Sequence, residues 1–155
     1  MRYDCGRASP RIVMAEEQQK AAASQTSVHP QPLKAILVVD DDKQLASALQ
    51  WILADENYLV DVAYDGEEAL LKVKIHEYDA IICDLLMPRL RGDEFYFQAT
   101  ELRPTLAERF IFITGFAADS DNKRFLSEQG QRHLVKPFPI NELIDAVKEL
   151  LADNG

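Results

Sequence analysis

The stretch Ile81-Ile82-Cys83-Asp84 is a short apolar run that ends on a carboxylate, and three further runs in the chain repeat this pattern. In a parallel sheet that is covered on both faces, the central strands are continuous apolar runs. The carboxyl ends of such strands open onto the crevice in which open α/β sheets bind ligands. The pattern therefore predicts polar side chains gathered at one edge of one parallel sheet. The other runs are Val38-Val39 before Asp40-Asp41, Ile111-Phe112-Ile113 before Thr114, and Leu134-Val135 before Lys136.

The polar residues that end these runs have the chemistry of a phosphoryl-transfer site. Asp40, Asp41 and Asp84 supply three carboxylates, which suit a hard divalent cation such as Mg²⁺. Thr114 and Lys136 supply a hydroxyl and an ammonium group, which suit phosphoryl oxygens, and an exposed Asp can act as a nucleophile. Because three close carboxylates repel one another and raise each other's pKa, we expect a cation among them.

Length, charge and cysteine content narrow the class of protein. The 155 residues suit one folded domain, and a formal net charge of −9 makes nucleic acid and anionic membranes poor partners. The longest apolar stretch, Ala35 to Val39, is far shorter than the ~18 residues of a membrane span, and the N-terminus lacks the apolar region of a signal peptide. Cys5 and Cys83 provide no disulfide framework. We expect a soluble cytoplasmic protein without membrane insertion, with Cys83 in its core.

Residues 1–33 differ from the rest of the chain. A polar, Ala-rich stretch over residues 16–27 precedes Pro30 and Pro32, and such a segment buries too little apolar surface to offset its ordering entropy. We predict a flexible tail over 1–33 and one domain over 34–153. Met14 precedes an acidic polar run and is a candidate translation start.

From Lys34 onward, strand and helix patterns alternate five times. This (βα)₅ alternation predicts a doubly wound parallel sheet with right-handed crossovers and helices on both faces. Within the helices, Asp42 is expected to cap the first, and Phe95, Ala99 and Leu102 to face the core. Trp51 is expected to pack against the body, with an exposed edge on a partner surface as the alternative. Predicted strands are about 34–39, 58–63, 79–84, 109–114 and 132–135; predicted helices are about 43–55, from Gly66, 92 to Pro104, 120–130 and 141–151.

The chain resembles the receiver domain of two-component response regulators. The resemblance covers roughly residues 34–152 and includes a Thr114-Gly-Phe-Ala style similar to receivers of hybrid sensor kinases. It implies the flavodoxin-like strand order 2-1-3-4-5, with strands one and three at the switch point. The matching pieces are Val38-Val39-Asp40-Asp41-Asp42, Cys83-Asp84-Leu85-Leu86-Met87-Pro88 followed by Gly92, Thr114-Gly115, and Lys136-Pro137-Phe138.

The resemblance also implies a role for each site residue. Asp84 would be the phosphoacceptor, Asp41 a direct Mg²⁺ ligand, and Asp40 a ligand through water, with the backbone carbonyl of Leu86 completing the coordination. Thr114 and Lys136 would bind phosphoryl oxygens. The bond between Lys136 and Pro137 resembles the cis peptide of the family, and cis is accessible mainly before proline.

Three positions depart from the common pattern of the family. The family often has Tyr or Phe three residues before the lysine, where it turns inward on phosphorylation, and here the position holds His133. His133 is therefore a candidate switch residue of a different chemical type, together with Thr114. Leu86 and Phe116 are apolar where polar residues are frequent, and we expect them to hinder water and slow hydrolysis of the acyl phosphate.

Several functions remain open from the sequence. The first is a switch that receives a phosphoryl group from a histidine kinase or histidine phosphotransfer protein and then binds an unknown downstream protein, as a monomer or weak homodimer. The second is a relay intermediate or phosphate sink, and the third is a phosphorylation-independent binding module. Such a chain would catalyse only its own phosphorylation and dephosphorylation. An aspartyl-phosphate phosphatase is disfavoured because Leu86 stands where these enzymes commonly carry a second Asp.

Overall fold

A computed structural model describes residues 31–115 and 120–154. Most of the predicted tail at 1–33, including Met14, and Phe116 lie outside the described residues. In the described residues, no helix is long and apolar enough to cross a membrane. Strands and helices alternate along the chain in the predicted order: β1 Ala35–Val39, α1 Lys43–Asp55, β2 Leu59–Ala63, α2 Gly66–Ile75, β3 Ala80–Asp84, α3 Gly92–Leu102, β4 Phe110–Thr114, α4 Ser120–Gln129, β5 Arg132–Val135 and α5 Ile140–Asn154.

The five strands form one parallel sheet in the order β2-β1-β3-β4-β5. This confirms the predicted flavodoxin-like order, with β1 and β3 adjacent. The three central strands are apolar because both of their faces are covered, so every residue of β3 and β4 is buried.

Alternate residues of the strands face two separate cores. One core lies on the side of α2, α3 and α4 and contains Cys83, as expected. The other lies on the side of α1 and α5 and is built from strand residues such as Ile36, Val38 and Ile82 and from helix residues at helical spacing. In α5 the buried positions are Leu143, Val147 and Leu150.

Local sequence signals explain two helix boundaries. Asp42 caps α1, because its Oδ1 accepts hydrogen bonds from the backbone N–H groups of Gln44 and Leu45 at 3.1 and 3.2 Å. Gly130 follows α4 with φ of +59°, the left-handed conformation that commonly ends a helix.

Two expectations about side chains were wrong. Trp51 does not pack against the body; it is 78 % exposed on the outer face of α1. Leu102 is about half exposed, and Tyr96 is buried in α3 instead.

A short 3₁₀ helix follows α3. It spans Pro104–Glu108 and buries Leu106. Pro104 begins this new turn, where its missing N–H costs nothing.

Candidate functional site

The carboxyl ends of β1 and β3 bring two buried aspartates side by side. Val39 pairs with Cys83 in the sheet register, so the residues that follow them, Asp40 and Asp84, lie at the same edge of the sheet. Asp40 is only 1 % exposed and Asp84 is also buried, whereas Asp41 is exposed. Carboxylate oxygens of the three residues all lie within 4.8 Å of one another.

Backbone amides hold two of these carboxylates in place. Oδ1 of Asp40 accepts a hydrogen bond from the N–H of Asp42 at 2.9 Å. Oδ1 of Asp84 accepts one from the N–H of Leu86 at 3.1 Å. Each bond fixes one oxygen and leaves Oδ2 of the same carboxylate available for another group.

Lys136 brings a positive charge to the two free oxygens. Its Nζ lies 3.3 Å from Oδ2 of Asp84 and 3.7 Å from Oδ2 of Asp40. The backbone N–H of Lys136 donates to the carbonyl of Thr114 at 2.9 Å, and the Lys136–Pro137 peptide is cis. Lys136 follows β5 and extends its ammonium group over β4 to the carboxylates.

The electrostatics of the site are set mainly by the burial of its carboxylates. Burial, together with the charges of Asp84 and Asp41, raises the pKa of Asp40 to about 6, although the Asp42 N–H and the Lys136 charge oppose this. Burial also raises the pKa of Asp84, against the opposing effect of Lys136. Burial lowers the pKa of Lys136, but the charges of Asp84 and Asp40 outweigh it, so the net pKa is raised.

The donor set fits a hard divalent cation. Three carboxylates converge, one ammonium group cannot neutralise them, and the buried Oδ2 of Asp40 has no hydrogen-bond donor among the described residues. Buried polar atoms normally have a hydrogen-bond partner or a bound ion, so we expect this oxygen to bind one. Mg²⁺ prefers such oxygen ligands and binds through a few carboxylates while keeping several waters.

The third polar strand end lies beside this pocket. Thr114 is buried at the end of β4, the strand between β3 and β5, and its hydroxyl donates to the carbonyl of Gly115 at 3.4 Å. The register pairs Asp84 with Ile113, so Thr114 extends one residue further along the edge than Asp84. The edge therefore presents carboxylates, a hydroxyl and an ammonium group in order along the sheet.

Comparison with known proteins agrees with this geometry. The family model described as response regulator receiver domain matches residues 36–148. The chain belongs to the response regulator receiver family. Response regulator ArlR of Staphylococcus aureus is 36 % identical over 116 residues, which cover 75 % of this chain and 52 % of ArlR. The chain thus spans about half the length of the curated relatives it matches.

Solved receiver structures share the fold. A CheY-like receiver domain protein from Methanospirillum hungatei has a TM-score of 0.72 and 31 % identity, covering 79 % of this chain and 96 % of the other. Response regulator TrrA from Thermotoga maritima, solved in complex with Mg²⁺ and BeF, has a TM-score of 0.66 and 33 % identity, covering 77 % of this chain and 100 % of the other.

Two positions at which the sequence departs from the common receiver pattern are exposed. Leu86 is about half exposed next to Asp84, to which its backbone N–H is bonded. His133 lies in β5 opposite Phe112 in the register, with its side chain in solvent. Phe116, the third, lies outside the described residues.

Sequence reasoning did not anticipate how closely the loop after Asp84 returns to it. Gly92 donates its N–H to the carbonyl of Leu85 at 3.1 Å, and a Cβ at position 92 would lie 2.4 Å from the carbonyl oxygen of Asp84. Only glycine leaves room for this approach. The signal in the sequence was a glycine at the first position of α3, which a helix would not otherwise favour.

Proposed function

We propose that this receiver domain is a phosphoacceptor that takes a phosphoryl group from a phosphohistidine onto Asp84, with Mg²⁺ as cofactor. The observation that carries the proposal is the convergence of the Asp40, Asp41 and Asp84 carboxylates within 4.8 Å, with the Lys136 ammonium 3.3 Å from Asp84. A nucleophile, a counter-charge and a set of oxygen ligands lie together at one edge.

The cation would be held by the carboxylates of Asp40, Asp41 and Asp84 and by the backbone carbonyl of Leu86. When bound, Mg²⁺ offsets the negative charge of the carboxylates and of the phosphoryl oxygens. Asp84 needs this help because burial raises its pKa and disfavours its charged form. Lys136 supports the ionised state of Asp84 even without metal, through its positive charge.

In the transfer step, a carboxylate oxygen of Asp84 forms a bond to phosphorus as the nitrogen–phosphorus bond of the phosphohistidine breaks. The electron pair of that bond stays on the imidazole nitrogen of the donor, which then takes up a proton. Lys136 and the hydroxyl of Thr114 stabilise the transferred oxygens by charge and by hydrogen bonding. The chain modifies only itself in this reaction and is not an enzyme with a separate substrate.

The donor would be a histidine kinase or a histidine phosphotransfer protein, and the response would occur on the surface formed by α4, β5 and α5. Thr114 and His133 lie at or in the strands beside this surface and are its candidate switch residues. The net charge of −9 favours a protein as the downstream partner over nucleic acid. We place the protein in the cytoplasm, as a monomer or weak homodimer with its domain over 34–153.

Intact-protein mass spectrometry after incubation with Mg²⁺ and acetyl phosphate tests the proposal. Wild type gains the mass of one phosphoryl group, and Asp84→Asn, which keeps the shape but removes the nucleophile, gains none. A gain of the same size in Asp84→Asn would place the phosphoryl group elsewhere. No gain in folded wild type would leave a phosphorylation-independent binding module.

A relay or phosphate sink is the second candidate, and the exposed His133 favours it because the position lacks the inward-turning aromatic of the common readout. Binding of a downstream partner distinguishes the two. A switch changes its partner affinity on phosphorylation, whereas a relay or sink does not.

We expect the apolar side chain next to Asp84 to lengthen the lifetime of the phosphoryl group. Leu86 stands two residues after Asp84, about half exposed, where it hinders the approach of water. We expect the acyl phosphate of wild type to outlast that of Leu86→Asn, and more so that of the double variant with Phe116→Glu, when decay is followed by intact mass. An equal or shorter half-life in wild type would contradict this.

A further inference from the structure

The N-cap position of α3 holds an arginine, where a helix favours a short polar side chain. Arg91 is the N-cap residue of α3, and its side chain makes no capping hydrogen bond. Ser, Thr, Asp and Asn are preferred at this position because their oxygens accept from the free backbone N–H groups. A cation here also faces the positive end of the helix dipole. For α3 by itself, Arg91 is therefore an unfavourable choice.

A second unfavourable choice lies on α4. Asn122 is completely buried, and its amide loses the water that would solvate it. Burying an amide costs free energy unless the protein supplies hydrogen bonds in return. The other buried side chains of α4 are Phe125 and Leu126, so Asn122 is one of only three that anchor this helix.

Arg91 and Asn122 bind each other through a partly buried hydrogen bond. Nη2 of Arg91 donates a hydrogen bond of 2.8 Å to Oδ1 of Asn122. Nε of Arg91 lies 3.3 Å from Oδ1 of Asp93, whose charge offsets that of the guanidinium near the start of α3. A hydrogen bond to a charged donor is stronger than one between neutral groups. The hydrogen bond gives the Arg91 guanidinium a partner and offsets part of the cost of burying the Asn122 amide.

Arg91 is also tied closely to the proposed phosphoacceptor. The next residue, Gly92, is packed against the backbone of Asp84 and bonded to the carbonyl of Leu85. A displacement of the backbone at Asp84 therefore displaces Gly92, and with it the guanidinium that holds Asn122. This path from the site to α4 runs through neither Thr114 nor His133.

We propose that Arg91 and Asn122 are positioning residues that couple the loop after Asp84 to α4, so that phosphorylation of Asp84 changes the stability of α4 through their hydrogen bond. The inference rests on the proposed phosphoacceptor function and adds the route by which the modification reaches the α4–β5–α5 surface. A modification shifts only an equilibrium whose states it contacts differently. Because few buried side chains hold α4 against the domain, we expect its stability to respond readily to a changed contact.

Hydrogen exchange of the α4 amides in the full chain tests the coupling. Exchange is measured with Mg²⁺ before and after acetyl phosphate, and the phosphorylated fraction is read from intact mass. In wild type we expect phosphorylation to change α4 exchange rates by about fivefold or more, within the usual range of coupling between sites. In Arg91→Met, which keeps the apolar stem but removes the donors, we expect less than a twofold change at the same phosphorylated fraction.

Arg124→Met is the matched control. It removes an arginine of α4 itself, whose Nε pairs with Glu128 at 3.3 Å on the exposed face, and leaves the hydrogen bond between Arg91 and Asn122 intact. The response of this variant stays at the wild-type level. Equal loss in both arginine variants would assign the effect to charge and overturn the proposal.

Variants at the acceptor end test the same bond without touching Arg91. Asn122→Asp keeps an acceptor for Arg91 and retains the response, whereas Asn122→Leu fills a similar volume without an acceptor and loses it. A full response in Asn122→Leu or Arg91→Met overturns the coupling, as does phosphorylated wild type with unchanged α4 exchange. Wild type that gains no phosphoryl mass overturns the proposed function as well, and the mass measurement distinguishes these cases.

Discussion

The interior and the carboxyl edge of the same sheet differ in what their residues contribute. In β3 and β4 the buried residues are apolar until the last position, where Asp84 and Thr114 follow. The interior residues stabilise the fold through burial. The edge gathers carboxylates whose pKa values are raised, which means that their charged forms oppose folding while no cation is bound. In each of these two strands, the interior residues stabilise the fold and the last residue belongs to the proposed site.

The largest expected effect comes from the interior. Ile82 is fully buried at the centre of the core on the α1 and α5 side. Ile82→Ala removes buried methyl groups and leaves a cavity, so we expect a loss of about 2–5 kcal/mol in the free energy of unfolding, measured with urea. Ile75→Ala is the control, because Ile75 is largely exposed, and it should change stability by less than about 0.5 kcal/mol. Similar losses in both variants would contradict the assignment of the core.

Next in size is the contact between the edge and the loop that follows it. Gly92→Ala places a Cβ 2.4 Å from the carbonyl oxygen of Asp84, a backbone atom that cannot easily move. We expect a loss of about 1–3 kcal/mol in thermal or urea unfolding, together with slower phosphorylation.

Gly115→Ala provides the matched comparison at the same edge, because a Cβ there meets no atom of the described residues within 4 Å. Its stability should stay close to that of wild type. A Gly92→Ala protein as stable as Gly115→Ala would show that the loop after Asp84 does not pack as described.

A smaller effect of opposite sign is expected from removing a charge at the edge. Burial raises the pKa of Asp40 from 3.8 to about 6. Between these values the folded protein keeps a proton that the unfolded chain has lost, so the contribution of Asp40 to stability falls as pH rises from about 4 to 6. Asp40→Asn lacks this fall. Without Mg²⁺ we expect the free energy of unfolding of Asp40→Asn to exceed that of wild type by about 1–2 kcal/mol at pH 7, after allowance for solvent screening.

The pH dependence provides the control for this variant. The difference between Asp40→Asn and wild type should fall as pH is lowered and vanish near pH 3 and below, where the wild-type carboxyl is largely protonated in both states. A difference that stays constant from pH 4 to 7 would show that the substitution acts through packing and not through charge.

The smallest effect is expected on the outer face of α1. Trp51 is the only tryptophan of the chain and is 78 % exposed, so Trp51→Ala should change the free energy of unfolding by less than about 0.5 kcal/mol. Leu49→Ala, on the buried face of the same helix, should cost about 2–5 kcal/mol. Comparable losses would mean that Trp51 packs against another surface in solution.

The apolar runs predicted the fold well because burial on both faces leaves little choice of residue in a central strand. The bounds predicted for α1 and β5 are those observed, and Asp42 caps α1 as expected. The placement of Trp51 and Leu102 could not be predicted reliably, since helical spacing does not state how wide the buried stripe of a helix is.

The candidate site was predictable in its members but not in its connections. The strand ends placed Asp40, Asp84 and Lys136 at one edge, and the structure brings them together. The bond between Arg91 and Asn122 joins residues 31 positions apart in the chain. Hydrophobic periodicity does not predict such a pair. The only indication was that each residue is an unfavourable choice for its own helix.

The measurement that tests the central claim most directly is the free energy of unfolding at pH 7 as Mg²⁺ is titrated at constant ionic strength. If the edge carboxylates form a cation site, wild type gains about 1.4 kcal/mol for each tenfold rise in Mg²⁺ above the dissociation constant. Asp84→Asn and Asp40→Asn should gain much less over the same range. A wild-type stability that is independent of Mg²⁺, or an equal gain in all three proteins, would contradict the assignment of the carboxyl edge as a metal-dependent phosphoacceptor site.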